Sequence, residues 1–464
     1  MNSPARIRWI AICLLAVAWP ATAQDLSLKL TVVSPAQVVE SALVTVKGGR
    51  IDAVTPNGTA PNAVTVDGVM FPGLIDLHNH MTWNVLPNWQ PPRLFTNRYE
   101  WQETPEYAIA LAGPNAAMNR AGAACEMNRF GEVKSIVNGG TMTVGSYGPD
   151  QNSNADVPAR NDCIRGLARN ADFASGLRPA PLNHERYGNF VFPFQLTRKE
   201  ESLLRAVDPN STDPAVLTGA GVHLAEGTDA ASRREFLQFI LQDYGRPGVN
   251  VIHGVALTPD QMRQLARAHV GLIWSPHSNF ILYGKTADIQ TAMDAKMSIA
   301  LAPDWSPAGS AGMLEELGIA YRYGLSLFPA IPEKTLVDMA TINPARMAGL
   351  DGQLGSIEPG KVADLVIMKR RKEGSAYQAL LMASPADVLL VAVGGVPRYG
   401  DRDLMHQLLP KAPLEDVIVC GAPKSLNLVD DPKKDVPWAV TQKYLTDLMK
   451  RMGLAPAPLA ACPQ

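Results

Sequence analysis

The sequence predicts an α/β protein built around a distorted (β/α)₈ barrel, with a β-sandwich assembled beside it from the two ends of the chain. Three observations carry this. The middle of the chain, about residues 71–350, alternates apolar segments with amphipathic ones, and repeated strand–helix–strand units argue a parallel sheet. The flanks of that middle, 26–70 and 355–400, are instead rich in Val, Leu and Thr broken by Gly and Pro, the texture of short strands and turns. At 464 residues, the chain is too long for one ordinary core and suits a large barrel plus a smaller domain.

The first residues have a different character. Arg6 and Arg8 precede an apolar run, Trp9 to Trp19, which leads to Pro20 and the small-residue site Ala21-Thr22-Ala23. This pattern predicts a secretory signal peptide over 1–23, cut before Gln24. The run is too short to span a bilayer, which needs about 20 residues, and Cys13 lies too far from the cut to carry a lipid. The mature protein is therefore expected to be periplasmic or secreted and not membrane-bound. Cys125, Cys163, Cys420 and Cys462 remain after processing. Four cysteines in an exported chain allow two disulfides in three pairings. The near pairings, Cys125 with Cys163 and Cys420 with Cys462, are preferred over four free thiols.

Residues 24–70 read as the first part of the sandwich. Within 71–350, the apolar segments MFPGLIDLHNH, GGTMTVGS (139–146), FVFPFQL (190–196), AGVHLAEG (220–227), NVIHGVAL (250–257), VGLIWSPHSN (270–279) and SIALAPDWSP (298–307) are expected strands. One further barrel strand must fall in the Asn- and Pro-rich stretch 150–185. TPDQMRQLARAHVG is a clear helix, with Thr258 as cap, Pro259 in the first turn and Gly271 as stop. GSIEPGKVADLVIM (355–368) and ADVLLVAVGGVPRYG (386–400) return to the sandwich texture, so 351–425 is its second part. A helix, Val440 to Met452, and a Pro/Ala-rich tail fill 426–464.

Composition narrows the function. Hydrophobic residues are 46% and charged residues 19%, the profile of a globular protein. With a net charge of −2 and no long Lys/Arg run, nothing advertises nucleic acid. A small-molecule substrate is the expected partner, and a homo-oligomer is compatible with the chain.

Of eight histidines, His78, His80, His223 and His253 lie at expected strand ends. Residues two apart on a strand share a face, so His78 and His80 point the same way. Asp304 ends a later strand after Ile299-Ala300-Leu301-Ala302, and Glu226 follows His223 by three residues. A parallel barrel brings these ends together at the face where barrel enzymes build their sites. Several imidazoles and a carboxylate around one point make a zinc-type catalytic site.

The run Pro72-Gly73-Leu74-Ile75-Asp76-Leu77-His78-Asn79-His80 resembles the opening metal motif of the amidohydrolase superfamily. His223-Leu224-Ala225-Glu226, Ser275-Pro276-His277-Ser278-Asn279 and Asp304 resemble its deaminase and triazine-hydrolase branch. Thr341 to Arg346 and Gly355 to Leu365 look like the segment that leaves the barrel for the sandwich. The resemblance runs in order from about residue 40 to 400. It implies one divalent metal, most readily Zn²⁺, on His78, His80, His223 and Asp304. It implies that Glu226 shuttles protons and that His253, with Asp304, orients the attacking water. Other branches hold two metals through a carboxylated lysine; Lys199 is the candidate here, although Arg198-Lys199-Glu200-Glu201 reads as a solvated helix start.

The expected reaction is hydrolysis of a C–N bond in an amide, carbamate or aminated heterocycle. Deamination or dechlorination of a heterocycle can use the same machinery, and fold alone does not choose between them. An exported metal- or solute-binding protein without turnover is the reading from another class. Tryptophans cluster near strand ends: Trp83, Trp89 and Trp101 in the loop after His80, Trp274 at the seventh strand, and Trp305 beside Asp304. An aromatic wall of this kind predicts a flat or apolar substrate. Trp83, Trp89, His277, Asn279 and Trp305 are the expected substrate contacts. His269, His184 and His406 have no evident role.

Overall fold

The computed structural model describes residues 25–145, 166–171, 187–190, 196–213, 216–430 and 435–462. The expected signal peptide lies outside them, as does Cys163 and with it the Cys125–Cys163 pairing.

Four strands open the chain: β1 (Leu26–Val33), β2 (Val38–Lys47), β3 (Arg50–Pro56) and β4 (Val64–Pro72). Gly48 and Gly49 join β2 to β3, both with positive φ (55° and 78°), the backbone that a two-residue hairpin requires. Eight short strands follow: β5 (Leu74–Ile75), β6 (Gly140–Thr143), β7 (Arg169–Asn170), β8 (Tyr187–Phe190), β9 (Gly219–Leu224), β10 (Val249–His253), β11 (Gly271–Trp274) and β12 (Ile299–Leu301). The chain ends on β13 (Leu365–Lys369), β14 (Val388–Val393), β15 (Val396–Asp401), β16 (Glu415–Val419) and β17 (Ala422–Leu426).

β5 to β12 form the barrel. All the pairings within it are parallel, in two arcs, β5-β6-β7 and β12-β11-β10-β9-β8. The arcs close at both seams. The Tyr187 N–H donates to the Ala171 carbonyl (3.0 Å), and Asp304 exchanges backbone bonds with His78 and His80 (3.1 and 3.2 Å). β7 is the strand expected somewhere in 150–185. The fourth strand begins three residues before the expected FVFPFQL, of which 191–195 lie outside the described residues.

The other nine strands form one sheet in the order β16-β17-β15-β14-β13-β4-β1-β2-β3. Antiparallel pairing of β4 with β13, from Pro72 opposite Leu365 to Gly68 opposite Lys369, joins the two ends of the chain. β13 shows why both faces of this sheet are apolar. Leu365 and Ile367 pack into the sandwich's own core with Leu28, Val44 and Met70. Val366 and Met368 face the other way, into the main core with Phe71, Phe130 and Leu314. Period-two alternation between two buried faces gives a nearly continuous apolar run.

MFPGLIDLHNH, expected as one strand, is split between the two domains. β4 ends at Pro72 in the sandwich and β5 starts at Leu74 in the barrel. At the crossing, a Cβ on Gly73 would sit 2.1 Å from Thr141 Oγ1, so only glycine passes. The 355–364 stretch is turn rather than strand. The helix Pro259–Arg267 has the expected Thr258 cap, which forms a capping box with Gln261, but it ends before Gly271. His269 makes the left-handed turn (φ 57°), and Gly271 starts β11. The last helix is Trp438–Lys450. Trp438 packs on Phe130 at 5.8 Å, and the tail beyond is docked, with Ala457 N–H donating to the Val85 carbonyl (2.8 Å). Cys420 and Cys462 are joined as a disulfide, which pins this tail to the β16–β17 turn. No helix among the described residues is long and apolar enough to cross a membrane.

One buried ion pair ties barrel to sandwich. Asp364, at the start of β13, accepts from Arg169 Nε (2.7 Å) and Nη2 (3.1 Å) of β7 and from the Gly394 N–H (2.6 Å). Arg169 is fully buried, so removing Asp364 takes a carboxylate from a charge held in the interior. Asp364→Ala is expected to cost about 3–5 kcal/mol in urea unfolding. A loss under about 1 kcal/mol, the scale of an exposed pair, would show that this contact does not hold the domains together.

Candidate metal and catalytic site

His78 and His80 follow β5, His223 lies in β9 with Glu226 just beyond it, His253 ends β10, and Asp304 follows β12. Three residues here have left-handed backbone without being glycine: Ala225 (φ 54°), His253 (φ 68°) and Asp304 (φ 66°). Such conformations cost on the order of 1–3 kcal/mol each and persist where the surrounding structure over-determines them. All three lie at or just past the ends of β9, β10 and β12, at the mouth of the barrel.

The donor atoms meet at one point. His78 Nε2 lies 3.2 Å from His223 Nε2 and 3.3 Å from Asp304 Oδ1. His80 Nε2 lies 3.4 Å from the same oxygen. Ligands at zinc's usual bond length of about 2.0–2.1 Å in a tetrahedron stand about 3.3–3.4 Å apart, so the spacing is that of a zinc site. The protonation states agree. His223 Nδ1 faces the Phe190 carbonyl at 3.2 Å, which can only accept, so Nδ1 carries the hydrogen and Nε2 offers its lone pair. His78 Nδ1 rests on Ser275 Oγ at 3.1 Å. Burial, and then the neighbouring basic groups, hold both imidazoles well below their ordinary pKa. The Ser275 hydroxyl can accept as well as donate, so His78 can carry its hydrogen on Nδ1 and offer Nε2 to the same cation as His223. These four side chains fit one divalent metal. Lys199 is exposed in the first turn of the helix Arg198–Arg205, outside the barrel.

Glu226 stands beside this set. Its Oε1 accepts from Tyr283 Oη (2.7 Å), and Tyr283 Oη accepts in turn from Trp101 Nε1 (2.8 Å). Its Oε2 lies 3.1 Å from Arg98 Nη1 and 3.5 Å from His253 Nε2. Burial works to raise the Glu226 pKa, but Arg98, His253 and Tyr283 together outweigh it and hold the group below its ordinary value. The carboxylate is thus ionised and poised to take a proton.

The side chains that hold the site come largely from one short helix, Pro276–Tyr283, and the serine before it. Ser275 contacts His78, Ser278 donates to Asp304 Oδ2 (2.6 Å), the Asn279 amide meets His253 Nδ1 (2.9 Å), and Tyr283 donates to Glu226. Positions i, i+3, i+4 and i+8 make one stripe of a helix, so a single helix face supports four site residues.

A cavity of 190 Å³ opens above, lined by His80, Trp83, Arg98, Trp101, Gln102, Tyr107, His223, Glu226, His253, Asp304 and Trp305. Trp305 meets His80, Trp83 and Trp101 at ring distances of 6.1, 5.7 and 5.8 Å.

Residues 222–397 match the Amidohydrolase family. Among curated proteins, the 5-methylthioadenosine/S-adenosylhomocysteine deaminase of Haloquadratum walsbyi is 27% identical over 337 residues, covering 65% of this chain and 71% of its own. In this segment and over most of its length the chain is similar to proteins of the amidohydrolase superfamily. Solved members share its fold. A triazine hydrolase from Arthrobacter aurescens superposes with a TM-score of 0.61 at 16% identity, over 81% of this chain and 94% of its own. An adenosine deaminase from Xanthomonas campestris with bound zinc superposes with a TM-score of 0.55 at 20% identity, over 81% and 92%.

Against this amidohydrolase frame, some expected contacts fall elsewhere. Trp83 and Trp305 line the cavity, whereas Trp89 is buried behind it, packed on Phe95 and Trp101 (6.3 Å each). His277 projects from the opposite side of the supporting helix. Its Nδ1 meets Ser310 Oγ at 3.0 Å and its N–H donates to Glu316 Oε1 (3.1 Å). Asn279 touches His253 rather than the cavity. His406 does have a partner, Asp416, at 3.1 Å; His184 lies outside the described residues.

Arg98 and Tyr283 were missed, because neither belongs to a spacing pattern. The signal that could have found them is electrostatic: a buried Glu226 requires donors. Elemental analysis of the purified protein should find one zinc per chain. His223→Ala should lose it, and Glu226→Gln should keep it. Two metals per chain, or loss of zinc in Glu226→Gln, would overturn this division of roles.

Proposed function

We propose that this protein is an exported, zinc-dependent deaminase of a small aminated heterocycle. One observation carries the reading. An ionised, fully buried carboxylate stands against a four-ligand metal set, at the floor of a cavity walled by flat aromatic rings. The names of its relatives and structural neighbours, deaminases and triazine hydrolases among them, support the same direction.

A divalent metal on His78, His80, His223 and Asp304 supplies Lewis acidity, lowering the pKa of a water and polarising the centre under attack. The protein's own groups do the rest. Trp83, Trp101, Tyr107 and Trp305 exclude solvent and offer faces on which a flat ring stacks. Asp304 and His253 both line the cavity floor, where they would orient the attacking water. With Oε1 occupied by Tyr283, Glu226 works through Oε2, taking a proton from that water and delivering it to the departing nitrogen. Arg98 keeps Glu226 charged between turnovers. One C–O bond forms, one C–N bond breaks, and ammonia leaves.

The zinc-loaded protein is expected to release ammonia from aminated purines, pyrimidines or triazines. Glu226→Gln should lose about 10²–10⁴-fold in kcat, the worth of a positioned proton shuttle. Turnover of amides or chlorinated rings, with no ammonia from any aminated ring, would replace the deaminase reading. Trp305→Ala and Trp83→Ala should each raise KM about three- to tenfold, the worth of one aromatic contact, with zinc content unchanged. A small aliphatic preferred substrate would remove the stacking wall from the account.

Export is supported by the N-terminal pattern and by the disulfide Cys420–Cys462, a bond that persists in oxidising compartments. N-terminal sequencing of the protein from its native host should begin at Gln24. A chain beginning at Met1 would refute processing there.

A further inference from the structure

We propose that a hydrogen-bond chain, Trp274–Thr286–Asn279, locks His253 as the tautomer protonated on Nε2, so that His253 serves the reaction as a hydrogen-bond donor and never as its base. This rests on the reading that His253 lies beside the reacting atoms.

The argument is one of direction. An indole N–H can only donate. Trp274 is fully buried, and its Nε1 lies 2.7 Å from Thr286 Oγ1, so the threonine oxygen accepts. The Thr286 hydroxyl has one hydrogen, and it donates to Asn279 Oδ1 at 3.2 Å. With its oxygen so engaged, the buried Asn279 turns its amide nitrogen to His253 and donates to Nδ1 at 2.9 Å. Nδ1 must then hold a lone pair, and the imidazole hydrogen sits on Nε2, which faces Glu226 Oε2 at 3.5 Å. The reverse orientation of Asn279 is poorer. It would take away the acceptor of the Thr286 hydrogen, leaving that hydroxyl to accept from both the indole and the amide and to donate to neither.

The contrast with His223 sharpens the point. Its Nδ1 faces a carbonyl, so its Nε2 is a lone pair and can ligate. The two imidazoles stand 5.3 Å apart and are set as opposite tautomers by what touches Nδ1. His253 comes within ligating reach of two of the candidate donor groups, one with His78 and Asp304, the other with His223 and Glu226. An N–H on Nε2 keeps it out of the metal's shell and bars a second cation from the His223–Glu226–His253 group. It also leaves Glu226 to carry the proton alone, while His253 steadies the oxygen it faces. Trp274, Thr286 and Asn279 are positioning residues, acting through His253.

The test is ¹⁵N NMR of the zinc-loaded protein labelled at histidine, where two-bond ¹H–¹⁵N correlations separate the tautomers without any turnover. The His253 signals, assigned by their loss in His253→Gln, should show the Nε2–H pattern. Asn279→Asp, which puts an acceptor against Nδ1, should convert them to the Nδ1–H pattern, lower kcat on the order of 10²-fold, the worth of one oriented donor, and leave zinc at one per chain. Thr286→Val should blur the tautomer and lower kcat, and Thr286→Ser should restore both; this pair decides the matter if Asn279→Asp fails to fold. An Nδ1–H or cationic His253 in the parent protein, or a Thr286→Val variant identical to it, would overturn the proposal. Because the spectra need no substrate, an Nε2–H His253 in a protein that deaminates nothing would sink the assigned reaction and spare the lock.

Discussion

The stripe of Ser275, Ser278, Asn279 and Tyr283 is the contact on which the site depends. His78, Asp304, His253 and Glu226 come from four different strand ends, separated by up to 226 residues of chain, and each is buried. A buried polar side chain costs free energy unless it is paired. Barrel closure brings these groups near one another, but a strand end fixes only where a side chain starts. The orientation of the far atoms is set by the partner on this helix. Because the four partners share one face, they cannot shift independently: tilting the helix to suit Glu226 would also move the donors to His253 and Asp304.

That rigidity has a cost elsewhere in the site. His253 and Asp304 take left-handed backbone to reach their positions, and the imidazole nitrogens of His78 and His223 converge with the Asp304 carboxylate at the spacing of metal ligands. A cation there would take up the lone pairs and the negative charge that this packing concentrates at one buried point. Metal binding should therefore stabilise the fold as well as supply chemistry, since a ligand that binds only the native state shifts unfolding toward it. The Arg98–Glu226 pair points the same way: a buried ion pair adds little net stability, so its value lies in holding Glu226 charged.

Much of this was legible in the chain. Strand ends carrying His78, His80, His223, His253 and Asp304 stand out because apolar runs end abruptly in chemistry-bearing residues, and parallel strands bring such ends together. What was not legible has a physical reason in each case. β7 is two residues long, too short to show a period, and becomes a strand only through its neighbours and the Arg169–Asp364 pair. The break at Gly73 hides inside a continuous apolar run, because both the sandwich and the barrel want apolar residues there. In Ser275-Pro276-His277-Ser278-Asn279, the eye goes to the histidine. Helical phase turns the His277 imidazole toward Ser310 and leaves the serines and the asparagine facing the site, a distinction that composition cannot make but a 100° rotation per residue does.

The tryptophans show how far residue type can be pushed. Their concentration near the strand ends suggested a single role, a wall for a flat substrate. The structure divides them. Trp83 and Trp305 line the cavity. Trp89 fills space behind. Trp101 does two things, lining the cavity with its ring and donating from its indole nitrogen to Tyr283, which holds Glu226. Trp274 never sees the cavity, and its N–H begins the chain that ends on His253. An indole suits the head of such a chain because it is a donor with no acceptor capacity, so it imposes a direction on every hydroxyl and amide that follows. Serine or threonine in its place could turn either way. The two side chains flanking the reacting atoms are each reached from an indole N–H through one or two intervening groups, and Glu226 receives a hydroxyl donor on Oε1 while His253 receives an amide donor on Nδ1. Both are thereby left with one defined atom facing the cavity. A site that must move protons in a fixed order needs that asymmetry, and here it originates in residues that do not touch the chemistry.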